Sequence, residues 1–263
     1  MNIFKSALIQ LSGNEIIQNV LQYNVKISQI LMGIGSGSGV LSSGEGAIFQ
    51  ILRQKCVPPF CIFDIGSNQG EYVKLVMKNL LIEDYSLHCF EPGPDTFNLL
   101  VKNVKDIKNI KLNNIGISKE KGEASLYFNK SGSGLASLSK RRLDHFGIDF
   151  NKTEKIKLDT IDNYCFENTV NHIHLLKIDI EGHELDALLG ACKMFEKKQI
   201  DIVTFEFGGC NIDSRTYFQD YWYFFREINM KIFRITKSGY LFPIKCYSEI
   251  HEQFRTTNYL AMN

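Results

Sequence analysis

The sequence carries no excess of charge of either sign: 30 Lys and Arg residues face 29 Asp and Glu residues, a formal net charge of +1. Without a global field there is little to draw nucleic acid or an anionic membrane surface, and no nucleic-acid partner is expected. C-x-x-C pairs are also missing. The seven cysteines stand singly at Cys56, Cys61, Cys89, Cys165, Cys192, Cys210 and Cys246, so neither a zinc site nor a disulfide framework follows from their spacing. Several lie in apolar runs, where a thiol acts as a small hydrophobe, and a reducing compartment is the simpler reading. No apolar run reaches the length needed to span a bilayer. Lys5, Gln10, Asn14 and Glu15 interrupt any leader-like stretch at the start. These absences together predict a cytoplasmic protein without a transmembrane segment. Internal repeats and long low-complexity tracts are absent too. What is present, 44% hydrophobic and 22% charged residues in 263, is enough to build an apolar core without disulfides or structural metal.

Along the chain, apolar residues recur at helical spacing through the first thirty or so positions: Ile3, Ala7, Leu8, Leu11, then Ile16, Ile17, Val20, Leu21. A Gly/Ser-rich stretch follows over 33–44 and reads as a flexible loop. Residues 1–44 are therefore expected to form a helical extension with its loop, and 45–263 the main domain, entered by a short helix over 45–52. From position 60 onward strands alternate with helices. Strands are predicted at 61–65, 86–91, 109–117, 122–128, 172–180 and 200–207, with closing strands in KIFRIT, YLFPI and NYLAM. Helices are predicted at 72–81, 94–101, 158–165, 183–195 and 216–228. The alternation implies an α/β fold, a mostly parallel sheet with helices on both faces. Ligands bind such sheets outside the carboxyl ends of the strands, so the acids and glycines at those ends are the site candidates.

The first strand runs into Asp64-Ile65-Gly66-Ser67-Asn68-Gln69-Gly70. Gly66 and Gly70 permit a tight turn and close backbone approach, while Asp64 places a carboxylate where an ammonium could be received. The second strand ends in Glu91, followed by Pro92; an acid there can bond ribose hydroxyls, and the proline can lie against an adenine face. S-adenosylmethionine, with its ammonium, carboxylate and sulfonium, suits such a mixed polar site. A dinucleotide pyrophosphate would be repelled by Asp64 and would prefer G-x-G-x-x-G, which this turn lacks. The glycines at 33, 35, 37 and 39 imitate a nucleotide loop but lack a strand-end acid and a following βα unit.

These residues resemble the FkbM family of methyltransferases. The likeness is carried by FDIGSNQGEY at 63–72, HCFEPGPDTFNLL at 88–100, NIGISKEKGEASLYF at 114–128, LDTIDNYC at 158–165 and, most specifically, LLKIDIEGHELDALLGA at 175–191. It extends over about 44–262. It implies a Rossmann-like class I methyltransferase fold, S-adenosylmethionine as donor, and O-methylation of a hydroxyl on a sugar or other small metabolite.

Methyl transfer to a hydroxyl is an in-line displacement that needs positioning and a base for the hydroxyl proton. The candidates are Lys177, Asp179, Glu181 and His183, where the predicted 172–180 strand ends and the next helix begins, and Glu206 at the end of the 200–207 strand. Alternation places Lys177, Asp179 and Glu181 on one side, and the lysine is expected to pair with an acid. His183 opens a helix, whose positive end disfavours imidazolium; a neutral imidazole is what a base requires, with Asp179 to orient it or hold the acceptor. The acids could hold a divalent cation, but none is expected. Lys140-Arg141-Arg142 reads as a solvated face. Tyr217, Phe218, Tyr221, Trp222, Phe224 and Phe225 read as core. A nucleotide-binding oxidoreductase or epimerase and a non-catalytic Rossmann-like module are the competing functions.

Overall fold

The computed structural model describes residues 3–263; residues 1 and 2 of the predicted extension lie outside them. In chain order the elements are α1 (Ile3–Leu11), α2 (Glu15–Leu31), α3 (Ile48–Lys55), β1 (Phe60–Ile65), α4 (Glu71–Asn79), β2 (Tyr85–Phe90), α5 (Pro94–Val104), β3 (Ile110–Asn113), β4 (Gly116–Ile117), β5 (Gly122–Phe128), β6 (Lys152–Asp159), α6 (Ile161–Glu167), β7 (Ile173–Ile178), α7 (Glu184–Leu189), α8 (Cys192–Glu196), β8 (Ile200–Phe207), α9 (Cys210–Ser214), α10 (Phe218–Glu227), β9 (Lys231–Ile235), β10 (Leu241–Ile244) and β11 (Thr257–Met262). No described helix is long and apolar enough to cross a membrane.

Eight strands form one sheet in the order β10-β9-β11-β8-β7-β1-β2-β3. The run from β3 to β8 is parallel, and β11 enters antiparallel between β8 and β9. Period-two alternation makes two cores. Phe60, Ile62, Leu87, Leu175, Ile202 and Leu260 face α3, α4 and α5. Phe63, Ile65, Leu176, Ile178, Val203, Phe205 and Phe207 face α6, α7, α8 and α10. Each such side chain removed from water contributes about 1.5–3 kcal/mol. A one-residue slip of any central strand would exchange its two sets, so the packing also sets the register. The aromatic run of α10 serves this core: Phe218, Tyr221 and Phe225 are buried, and Tyr221 stacks on Phe205 at 4.9 Å.

Three expectations are corrected here. Residues 158–159 end a strand rather than start a helix, because they pair with β4 and β5 in a separate sheet of order β4-β6-β5; the helix starts after Thr160, whose hydroxyl accepts from the Asn163 amide at 3.0 Å. The single helix predicted over 183–195 is broken at Gly190–Ala191 into α7 and α8. The 33–44 segment is docked rather than loose: the Gly37 amide donates to Thr256 O at 2.9 Å and the Gly35 amide to Thr257 Oγ1 at 3.2 Å. The extension ahead of it differs, since α2 buries no residue.

Candidate active site

Parallel register brings the chemistry together. Asp64 on β1 lies directly opposite Lys177 on β7, and Lys177 Nζ stands 2.9 Å from Asp64 Oδ1 and 3.6 Å from Asp179 Oδ2. Neither Asp64 oxygen accepts a well-aligned hydrogen bond among the described residues. Burial on its own would discharge the lysine, but the Asp64 and Asp179 carboxylates outweigh it and hold the ammonium charged. Beyond these strand ends opens a cleft of about 960 Å³.

Gly66, Ser67 and Asn68 form its floor, and Glu91 and Pro92 one wall. Gly66 has φ +85°, and a Cβ there would sit 1.8 Å from Asp179 O, so only glycine lets β1 and β7 close at this height. Ser67 is spent on the scaffold: its hydroxyl donates to Asp64 O at 2.8 Å and accepts from the Phe90 amide at 3.2 Å. Glu91 braces the turn, its two oxygens accepting from the amides of Asn68 and Gly93 at 3.0 Å each. Burial nevertheless pushes its carboxyl up to about 7. Asn68 Oδ1 is buried without a partner. Two predicted residues are absent from the cleft wall. Asp64 is fully buried beneath Lys177, which corrects the expectation that it receives a ligand ammonium directly. Gly70 caps α4 and abuts Leu100 and Val104.

On the far side the cleft is lined by Lys177, Asp179, Glu181, His183 and Glu206. Strand alternation does not extend to Glu181, because β7 ends at Ile178 and Glu181 has φ +55°. Its carboxylate meets Arg141 instead, which also lies 3.5 Å from Asp213. The Arg141 side chain is thus only 8% exposed, held by the acids just past the end of β7 and in α9, whereas Lys140 and Arg142 are exposed as expected. Burial raises the Glu181 carboxyl, and burial with the surrounding acids raises Glu206. Glu181, Glu206 and Cys210 bring donor atoms within 4.8 Å of one another, but Arg141 already occupies Glu181, and burial keeps the Cys210 thiol protonated.

His183 is held at both nitrogens: Nδ1 is 3.1 Å from Asp186 Oδ2 and Nε2 is 3.0 Å from Ser139 Oγ. The bond from His183 and the nearby Lys119 lower the Asp186 carboxyl. An ionised carboxylate only accepts, so Nδ1 carries the proton, and in the neutral imidazole Nε2 then accepts from Ser139. The orienting acid is therefore Asp186, not Asp179. Its position three residues after His183, one helical turn on, was a readable signal. Ser139, Arg141 and the N-terminal wall, Gly35 to Ser42 with Glu45, carried no comparable signal in the sequence.

A parallel five-strand run closed by antiparallel strands, with a glycine turn after β1 and an acid ending β2, defines the Rossmann-like class I methyltransferase architecture. Residues 64–241 match the methyltransferase FkbM domain, and the chain belongs to that family. Among curated relatives, it is 24% identical over 166 residues to the hexuronic acid methyltransferase AglP of Haloferax volcanii, covering 63% of this chain and 64% of that protein. It is 25% identical over 149 residues to the 2-O-methyltransferase NoeI of Sinorhizobium fredii, covering 53% and 60%. The matches thus span under two thirds of these relatives' length. Among solved structures, the methyltransferase FkbM of Methylobacillus flagellatus aligns with a TM-score of 0.45 at 15% identity, over 95% of this chain and 60% of that one.

Proposed function

We propose that the chain transfers a methyl group from S-adenosylmethionine to a hydroxyl of a sugar-like acceptor. The observation that carries this reading is the continuity of one cleft from Glu91, past the Gly66 turn, to the oriented imidazole of His183. The donor half fits the cofactor chemically. The Gly66 turn admits backbone approach, Asn68 Oδ1 awaits a donor, and Glu91, already braced by two amides, has lone pairs left for ribose hydroxyls. When bound, the donor supplies a methyl carbon on a sulfonium, open to in-line attack by oxygen. His183 Nε2 takes the acceptor's proton, and Asp186 keeps Nδ1 protonated and steadies the charge that forms. Nε2 lies 3.0 Å from Ser139 Oγ, and in this reading the acceptor hydroxyl takes the place of that serine. Arg141 and the 33–44 segment both line the cleft, and the less water they admit, the stronger each polar contact inside. The named activities of the hexuronic acid and 2-O-methyltransferase relatives support a sugar hydroxyl as acceptor.

The test is calorimetric titration with S-adenosylhomocysteine and with NAD, followed by a screen of glycoside and uronate acceptors with labelled donor. Binding of S-adenosylhomocysteine but not NAD, and label in an ether linkage, are expected. Preference for NAD would overturn the reading.

A further inference from the structure

The buried Asp64 leaves the ammonium end of the donor without its expected receptor. Glu45 lies on the cleft wall with only 6% of its surface exposed. It precedes residues 64–241, the stretch that matches the methyltransferase FkbM domain. Ser43 Oγ donates to its Oε2 at 2.6 Å, and no other hydrogen bond reaches its carboxylate among the described residues. We propose, resting on the donor reading above, that Glu45 with Asp179 forms the receptor for the donor's ammonium group.

Position is the first argument. The strands β2, β1 and β7 are adjacent in that order, each about 4.8 Å from the next. Glu91 at the end of β2 takes the ribose end, so the amino-acid end extends across β1 toward β7. Gly66, Asp179 and Glu45 all line the cleft there. Charge is the second argument. The titratable groups whose charges act on Glu45 or feel its charge are Lys177 from β7, Asp179 beyond it, Asp64 from β1, Tyr72 from α4 and Glu206 from β8. Lys177 is the one cation among them, against Asp64, Asp179 and Glu45. One lysine cannot neutralise these three carboxylates, with Glu206 a fourth acid close by, and buried acids without enough donors are costly. Burial accordingly pushes the Glu45 carboxyl up to about 7. An ammonium, with three donors and one positive charge, removes both deficits. Asp64 then serves a different purpose, keeping Lys177 in place beneath.

The experiment compares S-adenosylhomocysteine with 5′-methylthioadenosine, which has the same nucleoside and no amino acid. Calorimetry on parent and Glu45→Gln is expected to show S-adenosylhomocysteine affinity falling about 10- to 100-fold, the worth of one charge-assisted hydrogen bond, with methylthioadenosine affinity unchanged. In the parent, the ratio of the two affinities should rise between pH 6 and about 8, and binding of S-adenosylhomocysteine alone should release protons, read by repeating the titration in two buffers. That second readout needs no variant and stands even where Glu45→Gln folds poorly. Equal affinity in parent and Glu45→Gln, equal loss for both ligands, or no proton release overturns the receptor. A parent that binds neither ligand overturns the donor reading itself. A parent that binds methylthioadenosine but not S-adenosylhomocysteine overturns the receptor alone.

Discussion

At the scale of single residues, the same residue type does opposite jobs according to what faces it. Asp64 and Glu91 both end strands, yet Asp64 is fully buried against Lys177 while Glu91 keeps a face on the cleft. Asp64→Ala leaves a lysine buried with its main partner gone, and breaking a buried pair costs about 3–5 kcal/mol. Urea unfolding should show that loss. Unchanged stability with weakened donor binding would restore the direct role that the sequence suggested. Glu91→Ala should instead weaken S-adenosylhomocysteine by about 1.5–3 kcal/mol, measured by calorimetry. His183→Ala should slow single-turnover methyl transfer about 10²–10⁴-fold and leave donor affinity near the parent's. Asp186→Asn should slow it too, because an amide can donate to Nδ1 and turn Nε2 into a donor. If Asp186→Asn turns over like the parent, the tautomer argument fails and Glu206 becomes the next candidate for the base.

At the scale of elements, the strand–turn–helix unit around Asp64 to Gly70 and the strand ends at Glu91 and Asp179 were legible from local pattern, because period-two apolar runs and the glycines act within a few residues of the site. What was illegible is long-range. Arg141 looked solvated because nothing local tells a basic run that Glu181 and Asp213 face it across the cleft. The 33–44 segment looked loose because glycine and serine are ordinary loop residues, whereas its contacts are with Thr236 and Thr256, some two hundred residues on. Gly44 shows how tight the docking is: it has φ +90°, and a Cβ would lie 2.0 Å from Thr236 O. Gly44→Ala should therefore lift the segment. Limited proteolysis should cut within 33–44 faster than in the parent, and donor affinity should fall because Glu45 moves with it. Cleavage at the parental rate with undiminished affinity would show that the wall is not fixed at this point.

At the scale of the whole molecule, the cleft concentrates acids that a globally neutral chain (net +1) does not advertise. Glu45 and Glu91 shift from 4.5 to about 7, in each case because burial disfavours the charge, and Glu181 and Glu206 are raised as well. The sign of the consequence follows from proton counting. In the unfolded chain these carboxyls ionise near 4.5, whereas in the folded one Glu45 and Glu91 keep their protons to about 7. Between those values the folded state binds more protons than the unfolded state, so stability is greatest below the unfolded value and declines as pH rises through the folded one. Each group contributes on the order of 1–3 kcal/mol to that decline. The ligand-free protein should therefore have a lower urea midpoint at pH 7.5 than at pH 5.5, against the trend set by paired surface carboxylates. Glu45→Gln combined with Glu91→Gln should flatten the slope, since an amide has no proton to lose. Saturating S-adenosylhomocysteine should flatten it as well, because the ammonium stabilises the ionised Glu45 that burial disfavours. A midpoint that rises steadily from pH 5.5 to 7.5 in the ligand-free parent would mean that these carboxyls ionise freely and that the cleft is wetter than its burial implies.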